Sequence, residues 1–156
     1  MIGYLLDNNH VEAFCRKDPR ILKTERTKPA EHLIWVCTIT LGEIEAGCLM
    51  TQTTNQAKRG EYIKFVHDRF FEYILPVSES TREHYAEIMG KIWQNHSPSS
   101  SSKRTEHHLV EQGLDLNDVW AVSVAWEHGL IFLTEDKMEW IREAVGNNVL
   151  FENWLQ

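Results

Sequence analysis

The sequence predicts an α/β fold of three layers, with helices on both faces of a central, mostly parallel sheet of about four to five strands. Three observations carry this expectation. Short apolar runs recur along the chain, and they are too continuous to leave one face in water. Segments with helical periodicity separate them. Runs and helices alternate rather than cluster, as in a parallel sheet joined by crossover helices. At 156 residues the chain can bury a substantial core, and 1–156 is expected to be a single domain.

The elements follow in order. Ile2 to Leu6 reads as a first strand buried on both faces, stopped by Asp7-Asn8-Asn9-His10. Asp and Asn suit a turn or a helix N-cap, because their side chains bond nearby backbone N–H groups. Val11 to Phe14 starts a short helix. Lys17 to His32, with Pro19 and Pro29, mixes loop with a little helix. Leu33 to Thr38 reads as the second strand. Thr38 or Thr40 can cap the helix that follows, and Thr40 stands at capping-box spacing from Glu43. Tyr62 to Phe71 is a helix. Glu72 to Val77 is a third strand, with Pro76 at a position an edge tolerates.

Ser80 or Thr81 caps the helix Glu83 to Asn95, whose apolar face is Tyr85, Ile88, Met89, Ile92 and Trp93. Ser97 to His108 is Ser-rich and reads as a flexible loop. Asp118 then opens an apolar helix that ends at Gly129. Leu130 to Thr134 is a fourth strand, with Asp136 just beyond it. A last helix, about Met138 to Ala144, leads to the strand Val149 to Phe151.

Composition narrows the function classes. A charged content of 25% against 42% hydrophobic is that of a globular chain rather than a disordered one. No apolar run reaches the roughly 20 residues of a membrane span. The N-terminal segment lacks a basic n-region, so it reads as a strand and not a signal peptide. Cys15, Cys37 and Cys48 are odd in number and widely spaced, so neither a disulfide framework nor a zinc knuckle is indicated, and a cytoplasmic protein is expected. Net charge is −7, which argues against a broad, basic nucleic-acid surface. It leaves room for a nucleic-acid enzyme whose acids a metal offsets.

Four acids share one address. Asp7 follows the first strand, Glu43 begins the helix after the second, Asp118 opens a helix, and Asp136 follows the fourth strand. On a parallel sheet all four fall on the C-terminal rim, where ligands bind in open α/β folds. Taken singly, each is explained as a cap, a turn or a surface acid. Jointly they are a set of hard oxygen ligands that could not all stay ionised without a cation, and Mg²⁺ or Mn²⁺ is the fitting ion. The chemistry such a set supports is metal-assisted phosphodiester hydrolysis.

These residues also resemble a known family. Leu5 to Asn9 looks like the first motif of PIN-domain ribonucleases. Thr38 to Gly47 is similar to the second, with Glu43 on the motif's acid and Gly47 on its glycine. Asn117 to Gly129 resembles the third and Leu133 to Asp136 the fourth, while Leu150 to Trp154 is like the closing strand of the VapC toxin branch. The resemblance spans almost the whole chain. It implies a metal-dependent endoribonuclease, the toxin of a bacterial toxin–antitoxin pair, acting as a homodimer and inhibited by a small VapB-like antitoxin that also binds DNA. It also implies roles. Asp7, Glu43, Asp118 and Asp136 would form the catalytic, metal-binding quartet, with Asp7 and Asp118 as direct ligands. Asn9 and Thr134 would steady the carboxylates. Glu135, by its place beside Asp136, is a candidate substitute or accessory ligand.

The chain departs from the pattern in places. Asn8 replaces a hydroxyl residue, and His10 stands where the family is apolar. The Ser-rich loop is longer than the family norm. Its Lys103 and Arg104 are candidate RNA phosphate contacts, against the plainer reading of a solvated loop. His107 and His108 have no partner at metal spacing. Asp115 and Glu45 lie near motif acids but off register. Two other readings compete with the nuclease. One is a module with little nuclease activity that joins its antitoxin-like partner in a DNA-binding complex. The other is a response-regulator-type phosphoacceptor, for which Lys137 is misplaced.

Overall fold

Alternation along the first strand decides how the molecule is layered. In the computed structural model, which describes residues 2–50, 56–99 and 105–156, β1 (Gly3–Leu6) sends Leu5 into one core and Tyr4 and Leu6 into the other. β2 (Leu33–Cys37) and β4 (Ile131–Leu133) do the same, with Cys37 and Phe132 on the first side and Ile34, Val36 and Leu133 on the second. Strands buried on both faces need cover on both, and the crossover helices supply it.

The helices divide accordingly. α1 (Asn8–Cys15), α2 (Pro19–Glu25), α3 (Thr38–Met50) and α4 (Gln56–Phe70) send Val11, Ile21, Ile44 and Val66 into the core around Leu6. α5 (Thr81–His96), α6 (Glu106–Glu111), α7 (Leu116–Glu127) and α8 (Glu139–Val145) send Ile88, Leu109, Val122 and Ile141 into the core around Leu5. β3 (Ile74–Leu75) and β5 (Phe151–Glu152) are the sheet edges. The strand order is β3-β2-β1-β4-β5, and every neighbouring pair is parallel.

That order fixes where a ligand can sit. The chain winds outward from β1 through β2 to β3, then crosses back to β4 beside β1 and winds out the other way to β5. The crevice opens where the winding reverses, past the C-terminal ends of β1 and β4. Asp7 stands at the end of the first of these strands, and Thr134 to Asp136 at the end of the second.

Some local expectations are corrected. Thr40 is not a cap: it lies inside α3, fully buried, with its Oγ1 3.3 Å from Cys37 Sγ. At α5, Ser78 does the capping, since its Oγ accepts from the N–H groups of Ser80 and Thr81 at 3.1 and 3.2 Å. Thr81 and Ser78 both donate to the Glu127 carboxylate, tying the start of α5 to the end of α7. The loop expected over 97–108 does not extend to His108, because Glu106, His107 and His108 belong to α6. Lys103 and Arg104 lie outside the described residues. No helix among the described residues is long and apolar enough to cross a membrane.

Candidate active site

Each acid reaches the crevice by a different local device. Asp7 is the N-cap of α1, and its Oδ1 accepts from the Asn8 backbone N–H at 2.7 Å. Its other oxygen accepts from the Thr134 hydroxyl at 2.7 Å, so the residue just past β4 holds the side chain just past β1. Asp7 is 4% exposed, and burial pushes its carboxyl up to about 6. The Thr134 and Asn8 bonds pull against that shift, while Asp136 and Glu43 add to it.

Asp118 lies in the first turn of α7 but does not cap it. Asp115 is the cap, with its Oδ1 accepting from the Asn117 N–H at 2.8 Å, and this frees Asp118 to face the crevice. Burial is the main reason its carboxyl rises to about 7, and Asp7, Asp115, Glu43 and Asp136 push the same way. It accepts no hydrogen bond among the described residues. A half-buried carboxylate with neither a donor nor a cation beside it is electrostatically uncompensated.

Glu43, one turn into α3, is bracketed by two amides. Asn8 Nδ2 donates to one oxygen at 3.1 Å and Asn117 Nδ2 to the other at 2.8 Å. Asp136 is exposed in the turn after β4. It is held by its own N–H to Thr134 Oγ1 at 3.0 Å and by Asn9 Nδ2 to its carboxylate at 3.3 Å. Arg142 steadies the same turn by donating to the carbonyls of Asp136 and Lys137 at 3.2 and 2.6 Å. The fold therefore brings Asp7, Glu43, Asp118 and Asp136 together, with Asn9 and Thr134 bonded to them. Glu135 stands apart: it is exposed, and its charge acts on Arg20 rather than on Asp7 or Asp118.

Asn8, Asn117 and Arg142 belong to this constellation and were not singled out as site residues in the sequence. An Asn beside each motif acid was the available signal for the first two. Arg142 offered none, because its two bonds depend on how α8 folds back on the turn. His10 also finds a structural place. Fully buried, it joins Asn9 Oδ1 at 2.6 Å to the Trp154 backbone N–H, which donates to its Nε2 at 3.0 Å. Its ring forms no hydrogen bond with the acids among the described residues, although its backbone N–H donates to the Asp7 carbonyl at 3.1 Å.

The side chains suit a hard divalent cation. All four acids offer oxygen, and no cation appears among the groups acting on Asp7 or Asp118. Beside them the Asn8 Oδ1 is buried without a hydrogen-bond partner, another oxygen available to an ion or its water. Among the described residues no group of three or more His, Cys, Asp or Glu side chains is arranged so that it could hold a metal ion by itself. Mg²⁺ does not ask for one, since it keeps several waters and uses one or two carboxylates plus substrate phosphate.

The comparisons with known proteins agree with this architecture. VapBC2 from Rickettsia felis, in a structure with a DNA fragment from its promoter, superposes with a TM-score of 0.70 at 17% identity, covering 98% of this chain and 99% of that one. VapBC-1 from nontypeable Haemophilus influenzae superposes at 0.69 and 16% identity, covering 99% and 100%. VapBC-5 from Mycobacterium tuberculosis reaches 22% identity with a TM-score of 0.59, covering 98% of each chain. At these identities the likeness is one of fold. No curated protein matches the sequence. The model of the PIN domain matches residues 4–144, from the first strand through the last helix, and the chain belongs to the PIN-domain family.

Proposed function

We propose that this chain is an endoribonuclease dependent on Mg²⁺ or Mn²⁺, and that it is the VapC-like toxin of a toxin–antitoxin pair. The observation that carries the reading is the Asp118 carboxylate, half-buried, without a donor, and facing three other acids at the switch point of the sheet. Evolution rarely leaves such a group uncompensated unless a ligand completes it. Asp7, Asp118, Glu43 and Asp136 would hold the ion. When bound, the ion supplies charge neutralisation at the scissile phosphate and activation of water. Thr134 keeps Asp7 in one rotamer, and Asn8 with Asn117 fixes both oxygens of Glu43. Asn9 and the Arg142-braced turn set Asp136. No side chain is needed as a nucleophile.

The fold neighbours include VapBC2 from Rickettsia felis and VapBC-5 of the VapBC family of toxin–antitoxin systems, which supports a small VapB-like antitoxin as partner. A homodimer as the working unit is part of the same proposal and rests on the family resemblance alone. The test is RNA cleavage in Mg²⁺ or Mn²⁺, with and without EDTA. Cleavage is expected only with the ion present. Activity that persists in chelator sinks the reading. Metal-independent DNA binding by the complex, with no RNA cut, would favour the non-nuclease alternative.

The bond from Thr134 to Asp7 gives a graded check. Thr134→Val removes the hydroxyl that holds Asp7 and that caps the Asp136 N–H, with little change in volume. Mn²⁺ affinity, followed by calorimetry, is expected to fall about 10- to 100-fold with the fold intact.

A further inference from the structure

Beside Asp118 lies a cavity of about 180 Å³ that the hydrolytic chemistry does not require. It is lined by Asp118, by Glu139 and Trp140 of α8, and by Met138 and Gly113. We propose that this cavity is a nucleobase subsite that takes one unstacked base of the RNA next to the scissile phosphate, and that it prefers guanine. The proposal rests on the nuclease reading of the same site.

Size comes first. The space is below the range of drug-sized pockets and suits a single flat ring system. The aromatic wall comes second. The Trp140 ring is already ordered, since His96 stacks on it with centroids 4.3 Å apart and planes 13° from parallel. His96 is itself held by Glu143 at 2.9 Å. An indole already ordered loses little freedom when a base packs on it, and single-stranded RNA is read mainly by such stacking.

Backbone conformation is the third observation. Two residues lining the cavity are left-handed, Gly113 at φ 101° and Met138 at φ 44°. Glycine takes this conformation freely, but methionine does so at a cost, and such residues gather at ligand sites. Met138 immediately precedes α8, and its turn sets the start of the helix that presents Glu139 and Trp140 to the cavity.

Polarity selects the base. The charged side chains lining the cavity are Asp115, Asp118 and Glu139, all acceptors when ionised. Asp115 is engaged in capping α7, whereas Glu139 makes no side-chain hydrogen bond or ion pair among the described residues. Guanine offers N1–H and N2–H side by side, a match for both oxygens of one carboxylate. Uracil offers one N–H flanked by two carbonyls, which a carboxylate repels. Adenine and cytosine each pair a donor with an acceptor and fall between.

The test uses the full-length protein with a short oligouridine and with the same oligomer carrying one central guanosine. Binding is read by fluorescence anisotropy in Ca²⁺, and cleavage is mapped in Mn²⁺. The guanosine oligomer is expected to bind about tenfold more tightly and to be cut at a fixed offset from the guanosine. Trp140→Ala is expected to weaken its binding by about tenfold. Glu139→Gln, an exposed substitution that leaves the fold alone, should bring the guanosine-to-uridine ratio close to one. Equal binding of the two oligomers by the wild type, or a preference kept by both variants, overturns the proposal. Guanosine preference without any cleavage leaves the subsite standing and removes the nuclease reading. Cleavage without preference does the reverse.

Discussion

Asp118→Asn is expected to abolish RNA cleavage, by about 100-fold or more, and at the same time to make the metal-free protein more stable. The two effects share a cause. The Asp118 carboxyl is pushed up to about 7, first by burial and then by Asp7, Asp115, Glu43 and Asp136. A carboxyl raised in the folded state favours folding while protonated. That contribution is complete below the unfolded pKa and is lost as pH rises through about 7. At about pH 8 without metal, the wild type therefore carries a charge that its surroundings oppose, and Asn does not. A rise in Tm of about 3–6 °C is expected for the variant. Added Mn²⁺ should raise the Tm of the wild type and leave that of Asp118→Asn nearly unmoved. Asp115→Asn is the control. Asn caps helices as well as Asp does, so α7 keeps its start and activity stays near wild type. If Asp115→Asn abolishes cleavage and Asp118→Asn does not, the site is one helical turn from where it is placed here.

His10→Gln is expected to lower stability by about 3 kcal/mol at neutral pH, with little effect on the acids themselves. His10 is fully buried, and burial lowers its pKa from 6.5 to about 4. Its Nε2 accepts from the Trp154 N–H, which leaves Nδ1 as the donor to Asn9 Oδ1, so the ring is neutral with its proton on Nδ1. A histidine with a depressed folded pKa contributes stability that is complete above about 6.5. That stability is lost as pH falls through about 4, because the unfolded chain takes up the proton first. Asp7 and Asp118 act in the opposite sense over part of this range, so the raw stability curve of the wild type mixes the two. Denaturant titrations of wild type and His10→Gln at a series of pH values separate them. The difference between the two proteins is expected to shrink steadily from pH 6.5 to pH 4. A difference that stays constant would place the His10 ring in another protonation state.

The layered architecture was legible because burial on both faces leaves a mark in sequence. Runs such as Leu33 to Cys37 have no polar alternation, and the intervening segments have helical period. The addresses of the four acids followed from the ends of those elements. What failed was local chemistry with two equivalent solutions. Thr40 three residues before Glu43 satisfies a capping box on paper, but α3 starts at Thr38 and turns Thr40 inward. Asp115 and Asp118 could each have begun α7, and only the Asn117 N–H bond decides between them. The pairings were only partly legible. Asn9 was expected to steady a carboxylate, but that its partner is Asp136, 127 positions away, has no local periodicity to announce it. The same holds for Asn117 and Glu43 across 74 positions.

The strand order has a consequence for synthesis. β1 occupies the centre of the sheet, and its second neighbour, β4, is translated more than a hundred residues after it. At about 5–20 residues per second, the ribosome holds Asp7 apart from Thr134 and Asp136 for several seconds of elongation. A nascent chain thus carries half of its acids on each side of a gap that only late translation closes. On the proposed nuclease reading, the set of acids is complete only once β4 and the turn after it have been made.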